Sequence, residues 1–531
     1  MASINQFMDR NGVSARFTKV PEKNVREFEE EGLLIPGYPK GSDITIINCN
    51  YVGRRRNDLG EMDPDYLFIL YRDNKTGEKK AHYIYEPLYT FYTLNDNLPP
   101  LDHNLFFIEK ERVQPVTCLY RDIVKAVAYT TGNQDTYAKN IAAGNSRDNN
   151  RFHSIPDIFR SQINIEDYYR FLFNNNYTNS IFKLKKAFMD IEVDTISAMS
   201  DFPEMGECPI NAIAFLDENS NTVYQLLLEN YNNPLIKPYR RYINSQKGQD
   251  DLRKFITDAV GGYKKAHKYG IDKLKFEFIF FDEESELIKA YFKLLELCSP
   301  DIQEIWNMDF DLNYITARAE ELGLDVLNLI CDSRLEQKFF KFYVDEKNKN
   351  EYAERGDYVS LASFTVWLDQ MIQFASRRKG RGRYQSYRLD DIGYAVAKVH
   401  KLDYSHITTD LKMLPYLDYK TFSWYNVMDV IVQKCIESVT QDSEYIFTKC
   451  LVNNTRYSKG HRQSVYLANR FMKDFDTDGF IIGNNKNIWN EKPNTKFPGA
   501  MVGDPTHNSI YSMIWINGRP TLLANNMIDF D

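Results

Sequence analysis

Hydrophobic and polar positions alternate most cleanly near the middle of the chain. In Ala187-Phe188-Met189-Asp190-Ile191-Glu192-Val193, the residues Ala187, Met189, Ile191 and Val193 alternate with Phe188, Asp190 and Glu192. A half-buried strand with this pattern sets both carboxylates on one face. Residues 210–216 and 222–228 repeat the strand pattern on either side of the turn Asp217-Glu218-Asn219-Ser220-Asn221, which predicts an antiparallel meander with the acidic strand first. The period then changes. A helix over 250–268, a strand over 274–281, a helix over 285–297, a short strand over 302–306 and a helix over 312–322 alternate as in an α/β layer.

A meander continued by alternating helices and strands predicts an α/β (α+β) architecture with the order of a ribonuclease H-like fold. Outside that block, residues 1 to about 105 read as β-rich. Strands are expected at 44–51, 66–71 and 82–89, the last two joined by the turn Asp73-Asn74-Lys75-Thr76-Gly77. From 106 to about 180 the pattern reads as helical, interrupted by the polar loop 145–150. Residues 333–358 read as a protruding hairpin with a charged tip at 345–350, and helices are expected over 389–399 and 422–438.

Composition narrows the class. With 531 residues, 43% hydrophobic and 26% charged, the chain is an ordinary globular one of two to four domains. No apolar run is long enough to span a membrane and no signal-peptide pattern opens the chain, so a cytoplasmic location without membrane contact is expected. Seven scattered cysteines without Cys-x-x-Cys spacing point to reduced thiols. A net charge of −8 is no nucleic-acid signature, yet a local basic groove can bind phosphates on an acidic protein.

Four stretches carry candidate chemistry. Asp190 and Glu192 fit either a solvent-facing polar edge or a pair of hard oxygen ligands for a divalent cation. Asp311, in Trp306-Asn307-Met308-Asp309-Phe310-Asp311, falls at an expected helix start, where N-capping alone would account for it. Tyr425 and Asp429 lie at i and i+4 on one helix face. The run Arg377-Arg378-Lys379-Gly380-Arg381-Gly382-Arg383-Tyr384 fits a solvated loop or a contact to a single-strand backbone.

Asp-x-Glu on a first strand, Asn-x-x-Phe-Asp at a strand-to-helix junction and Tyr-x-x-x-Asp on a late helix occur here in that order. Together they resemble the three motifs of the 3′–5′ proofreading exonucleases of family B DNA polymerases, those of tailed phages most closely. The likeness continues through Ser386-Tyr387-Arg388-Leu389-Asp390-Asp391-Ile392-Gly393-Tyr394 and Lys401-Leu402-Asp403-Tyr404. One departure is the two-residue spacing between Asn307 and Phe310, where many cellular relatives have three; the protein-primed phage enzymes share the shorter form. The resemblance implies two divalent cations, magnesium with manganese as substitute, held by Asp190, Glu192, Asp311 and Asp429. In that scheme Asp190 bridges the ions, Glu192 and Asp429 complete the nucleophile side, and Asp311 acts mainly through water. Tyr425 orients the attacking water, and Asn307 and Phe310 hold the frayed 3′ end.

The resemblance also implies a domain plan. It comprises a β-rich N-terminal domain at 1–105, the exonuclease domain at 106–441, a helical return to the N-terminal domain at 442–500, and the start of a polymerase palm at 501–531. Phe497-Pro498-Gly499-Ala500-Met501-Val502 looks like the palm entry, and Asp531 like its first catalytic aspartate. Asp476-Thr477-Asp478-Gly479 mimics a second palm motif but reads as a turn. Expected partners are the 3′ end of single-stranded DNA, primer–template DNA, a C-terminal polypeptide supplying palm, fingers and thumb for synthesis, and a sliding clamp. Two other readings stand beside this one: a non-catalytic DNA-binding subunit of a split polymerase, and a free-standing exoribonuclease of the same fold.

Overall fold

The computed structural model describes residues 34–484, apart from 57–59, 181, 199–203, 230–232, 334–337, 345–351 and 382–383, together with the backbone of two later strands. Contacts divide the chain at Asn484 into two units. The second contributes the antiparallel pair Ser512–Ile516 and Arg519–Leu523. Residues 497–502 and the candidate Asp531 lie outside the described residues.

Six strands build the central sheet of the first unit: β1 (Lys186–Val193), β2 (Ile210–Asp217), β3 (Thr222–Leu228), β4 (Lys275–Phe281), β5 (Ile302–Ile305) and β6 (Val366–Asp369). Their order is β4-β3-β2-β1-β5-β6. β2 runs antiparallel to β1 and β3, whereas the β3–β4, β1–β5 and β5–β6 pairs are parallel. This is the mixed, ribonuclease H-like sheet that the strand–helix rhythm predicts. The tight β2–β3 turn has a local cause. The Asp217 carboxylate accepts hydrogen bonds from the backbone N–H groups of Asn219 and Ser220, and Asn221 takes up the left-handed conformation at φ 53°.

Both faces of the sheet are covered. Ala187, Met189, Ile191, Ile213 and Phe215 pack into a core with α1 (Glu284–Cys298) and α2 (Met308–Glu321). Phe188, Ala212, Ala214 and Leu216 face the opposite core. That core also takes α3 (Gln370–Arg377), α4 (Leu389–Ala397) and α5 (Tyr419–Thr440). Each large apolar side chain buried this way contributes about 1.5–3 kcal/mol relative to exposure. α5 is buried on almost every side. The Asp418 side chain caps its start by accepting from the Thr421 N–H, and it ends at Gln441 in the left-handed conformation, where α6 (Asp442–Val452) begins at once. The expected helix over 250–268 is two helices, Gln246–Ala259 and Tyr263–Lys268, parted by Gly261 and Gly262 at φ 97° and 92°.

Two expectations for the first 180 residues need correction. The strand read at 82–89 is broken at Glu86, which has φ 49°, into Lys79–Tyr85 and Leu88–Leu94. The first of these joins Ile44–Val52 and Tyr66–Asp73 in one sheet, and the second pairs with Val113–Leu119 and Ile158–Phe159 in another. The stretch from 106 likewise opens with strands, Phe107–Glu109 and Val113–Leu119, before its helices start at Ile123. Pro115 explains this, because a proline inside a helix removes a hydrogen bond and clashes with the preceding turn. Further on, Asp478-Gly479 follows the helix Gln463–Thr477 as a turn. Phe480–Ile482 then pairs with Phe107–Glu109, which brings the chain back to the N-terminal strands. The hairpin expected at 333–358 has its strands at Phe340–Tyr343 and Tyr358–Leu361.

Close packing of α4 on α5 makes a sign-reversed prediction at one glycine. A Cβ on Gly393 would lie 2.5 Å from Cγ1 of Val432 and 2.9 Å from the Val399 carbonyl oxygen. Gly→Ala inside a helix is normally stabilising by about 0.5–1 kcal/mol. Here overpacking of about 1–3 kcal/mol opposes it, so Gly393→Ala is expected to lower the midpoint of urea unfolding. A midpoint equal to or above that of the parent would show that α4 yields at this contact.

Candidate active site

The site is built where β1 meets α5. Asp190 and Glu192 leave β1 on the Phe188 side, and β1–β2 pairing shifts register between Glu192 and Val193, just past the second carboxylate. Such bulges end regular pairing and re-aim side chains. From α5, Asn426, Asp429, Gln433 and Glu437 recur at helical spacing along the face toward β1. The Asn426 Nδ2 donates to Oδ2 of Asp190 at 3.1 Å, and the Gln433 Nε2 donates to the Met189 carbonyl at 3.1 Å. Carboxylate oxygens of Asp190, Glu192 and Asp429 come within 4.8 Å of one another. Tyr425 stands one turn before Asp429 on the same helix.

Asp311 arrives from α2, and its N-cap reading does not hold. The helix begins at Met308, so Asp311 lies inside the first turn, while Asn307 occupies the cap position in the left-handed conformation at φ 69°. Asparagine tolerates that conformation better than most residues. Asp311 is freed from capping and lines the same cleft as Asp190 and Glu192. It stands outside the tight three-carboxylate group. The end of α2 is fixed by Asp369 at the end of β6. Its Oδ2 accepts from the Met308 N–H at 2.8 Å, and its Oδ1 accepts from the Ile372 N–H at 2.9 Å in the first turn of α3. Phe310, partly exposed, also lines the cleft and packs on Tyr314 with ring centroids 5.5 Å apart.

Burial of so many acids in one place dominates the electrostatics. Burial and then the Asp429 charge push Asp190 up to about 8. Burial and then Asp190 push Glu192 and Asp311 well above the ordinary carboxylate range. Asp429 rises only to about 6, because burial is opposed by Lys401, whose Nζ lies 2.6 Å from Asp429 Oδ2. Burial pulls Lys401 downward, but Asp429, Tyr425, Asp190 and Glu192 outweigh it and hold the ammonium well above its ordinary value. Tyr425, buried and beside Asp429, is pushed up and stays a neutral phenol. The Lys401 ammonium also sits 4.5 Å from the Tyr425 ring centroid.

These groups open into a cleft of about 780 Å³, within the size range of small-molecule sites. Its acidic floor is Asp190, Glu192, Asp311 and Asp429, and its walls include Trp306, Asn307, Phe310, Tyr352, Tyr387, Arg388 and Lys401. The donor set suits a hard divalent cation. It is all oxygen, and Oδ1 of Asp429 is buried without a hydrogen-bond partner. Of the basic run, Arg377, Arg378 and Lys379 do not line this cleft. Arg377 and Arg378 both pair with Asp442 at the start of α6, at 2.8 and 2.7 Å, and Lys379 pairs with Glu354 at 2.6 Å. Arg383 and the side chain of Arg381 lie outside the described residues. Asn426 is a member of the site that the motif pattern does not single out, although it has a helical-spacing signal, three residues before Asp429. Lys401 falls in the stretch Lys401-Leu402-Asp403-Tyr404 that carries the resemblance, but no role in the site is assigned to it there.

Two predictions follow from these charges. For acids raised in the folded state, stability is fully present below the unfolded value near 3.8 and is lost as pH rises through the folded one, here about 6 to 8. In chelator, Asp190→Asn is therefore expected to stabilise the fold relative to the parent more at pH 8 than at pH 5, by on the order of 1–3 kcal/mol, read as a larger rise in Tm. Magnesium or manganese is expected to raise the parent Tm most at pH 8, and a Tm difference independent of pH would refute the assignment. Separately, Arg377→Ser with Arg378→Ser is expected to destabilise the fold by about 1–3 kcal/mol by stranding Asp442. It should leave the log–log salt slope of single-strand binding changed by less than about 0.7, the value for one phosphate contact.

Comparison with known families places this geometry in context. Comparison with curated proteins gives no match to the chain. Residues 157–392 match the model described as DNA polymerase family B, exonuclease domain. That span holds β1, α2 and the residues Asp190, Glu192, Asn307, Phe310 and Asp311, and ends before Tyr425 and Asp429. Residues 157–392 are thus a family B polymerase exonuclease region, and the activity of such a region is that of a hydrolytic nuclease.

Proposed function

We propose that this cleft is a 3′–5′ exodeoxyribonuclease site that removes nucleotides from a frayed DNA 3′ end, as in proofreading. The observation that supports this best is the convergence of Asp190, Glu192 and Asp429 within 4.8 Å beneath an aromatic-walled cleft. Asp190, Glu192 and Asp429, with Asp311 beside them, would hold two divalent cations, magnesium or manganese. When bound, these supply Lewis acidity at the scissile phosphodiester and neutralise the acids.

The protein's own groups do the rest. Asn426 fixes the Asp190 carboxylate, and Lys401 keeps Asp429 ionised. The Tyr425 phenol orients the water that adds to phosphorus. The P–O3′ bond breaks as that water adds, the 3′-oxygen leaves with a proton, and a nucleoside 5′-monophosphate is released. Phe310 stacks on the terminal base, and Asn307 holds the terminal nucleotide. A paired end must fray before it reaches the cleft, so single strands are degraded faster.

Purified protein with 5′-labelled oligonucleotides and magnesium is expected to shorten single-stranded DNA stepwise from its 3′ end, and duplex ends or RNA more slowly. Asp190→Ala and Asp311→Ala should abolish nearly all shortening without loss of Tm, and Lys401→Met should reduce it. Tyr425→Phe should cost at most the 10²–10⁴ typical of one proton-handling group. Equal degradation by the Asp190→Ala protein and the parent would sink the proposal, and RNA degraded faster than DNA would favour an exoribonuclease.

A further inference from the structure

One surface feature beside the cleft is left unused by that chemistry. Tyr394 is 49% exposed on α4, and single exposed aromatics are common and usually carry no meaning. This one is organised. Its ring lies flat on the His400 imidazole, with centroids 4.3 Å apart and planes within 16°. The Lys398 ammonium lies over the same ring, 4.8 Å from its centre, and among the described residues no acidic side chain pairs with it. Lys398 adopts the left-handed conformation at φ 56°, which ends α4 and turns the chain toward His400 and Lys401.

Asp390 ties this assembly to the cleft. It lines the cleft wall and lies four residues before Tyr394, hence one turn away on the same helix face. Its carboxylate contacts the His400 Nδ1 at 3.1 Å and accepts the Lys401 backbone N–H at 2.7 Å. Tyr394 therefore stands about 6 Å along the helix from a residue of the cleft wall, and its partner His400 is next in sequence to the lysine that enters the site. A flat aromatic surface flanked by a cation, on the rim of a cleft, has the chemistry of a single-strand platform. Bases stack on the ring whatever their sequence, and the cation meets the backbone.

We infer that Tyr394, His400 and Lys398 form a nucleotide subsite at the mouth of the cleft, where one base of the incoming strand takes the place of the Lys398 ammonium over the Tyr394 ring and Lys398 swings out to meet a neighbouring phosphate. The inference rests on the nuclease reading and extends it. The subsite grips the strand upstream of the nucleotides in the cleft, so it acts only on strands long enough to reach past the rim.

The test is equilibrium binding of fluorescent oligothymidylates two and eight residues long, in chelator so that no cleavage occurs. Tyr394→Ala is expected to weaken the eight-mer by about 5- to 100-fold, the range for loss of one stacked base, and to affect the two-mer far less. Tyr394→Phe keeps the ring and should bind the eight-mer as the parent does. An abasic residue moved along the eight-mer should weaken the parent at one position outside the last nucleotides, and Tyr394→Ala should be indifferent there. Unchanged eight-mer affinity in Tyr394→Ala overturns the subsite, and so does equal weakening at both lengths, which would mean that Tyr394 only props up Asp390. A parent that binds neither oligomer fails the nuclease reading itself, an outcome distinct from the other two.

Discussion

Everything about the site turns on buried like charge. Three carboxylates within hydrogen-bonding range of one cation-sized space, and a fourth beside them, repel by roughly 4 kcal/mol per pair at 4 Å and an effective dielectric near 20. The fold tolerates this with limited means. Lys401 meets one acid and Asn426 another, and burial keeps part of the group protonated. What remains uncompensated is an affinity held in reserve, because any divalent cation that enters relieves repulsion as well as gaining ligands.

The other end of the same strand–helix pair makes a useful contrast. β1 begins at Lys186, whose ammonium donates to Oε1 of Glu437 on α5 at 3.0 Å. Glu304 on β5 lies beside them, its carboxylate bonded by the Ser443 hydroxyl at 2.6 Å. Polar residues thus run along one face of α5 from Asn426 to Glu437, and the acids at the Glu437 end have a strand cation of their own. At the Asp429 end the strand offers two more acids. One face of one helix therefore carries acids met by a strand lysine at one end and acids open to the cleft at the other.

Much of this was legible in the sequence because it is periodic. The alternation around Asp190 and the spacing of Tyr425 and Asp429 each follow from one element, so a local pattern suffices to find them. Asp311 was ambiguous because helix starts cannot be read closely from composition. A helix beginning at Leu312 makes it a cap, and one beginning at Met308 frees it for the cleft. Lys401 lies in a stretch that the resemblance marks, but its role is not legible there, since it depends on a left-handed turn at Lys398 that returns the chain to α5. In the basic run, density of charge says nothing of the acid that receives it, and Asp442, some sixty residues on, receives two of its members. In the first 180 residues, Glu86 and Pro115 mark breaks that the hydrophobic pattern alone passes over.

The double grip of Asp369 has a mechanical consequence. One carboxylate, at the end of a buried strand, holds the first turns of both α2 and α3. The helix bearing Phe310 and Asp311 therefore shares a fixed pivot with α3. A load applied to Phe310 is borne by the sheet as well as by the helix. The two helix starts are thereby coupled, so that a displacement of one is passed to the other through a single carboxylate.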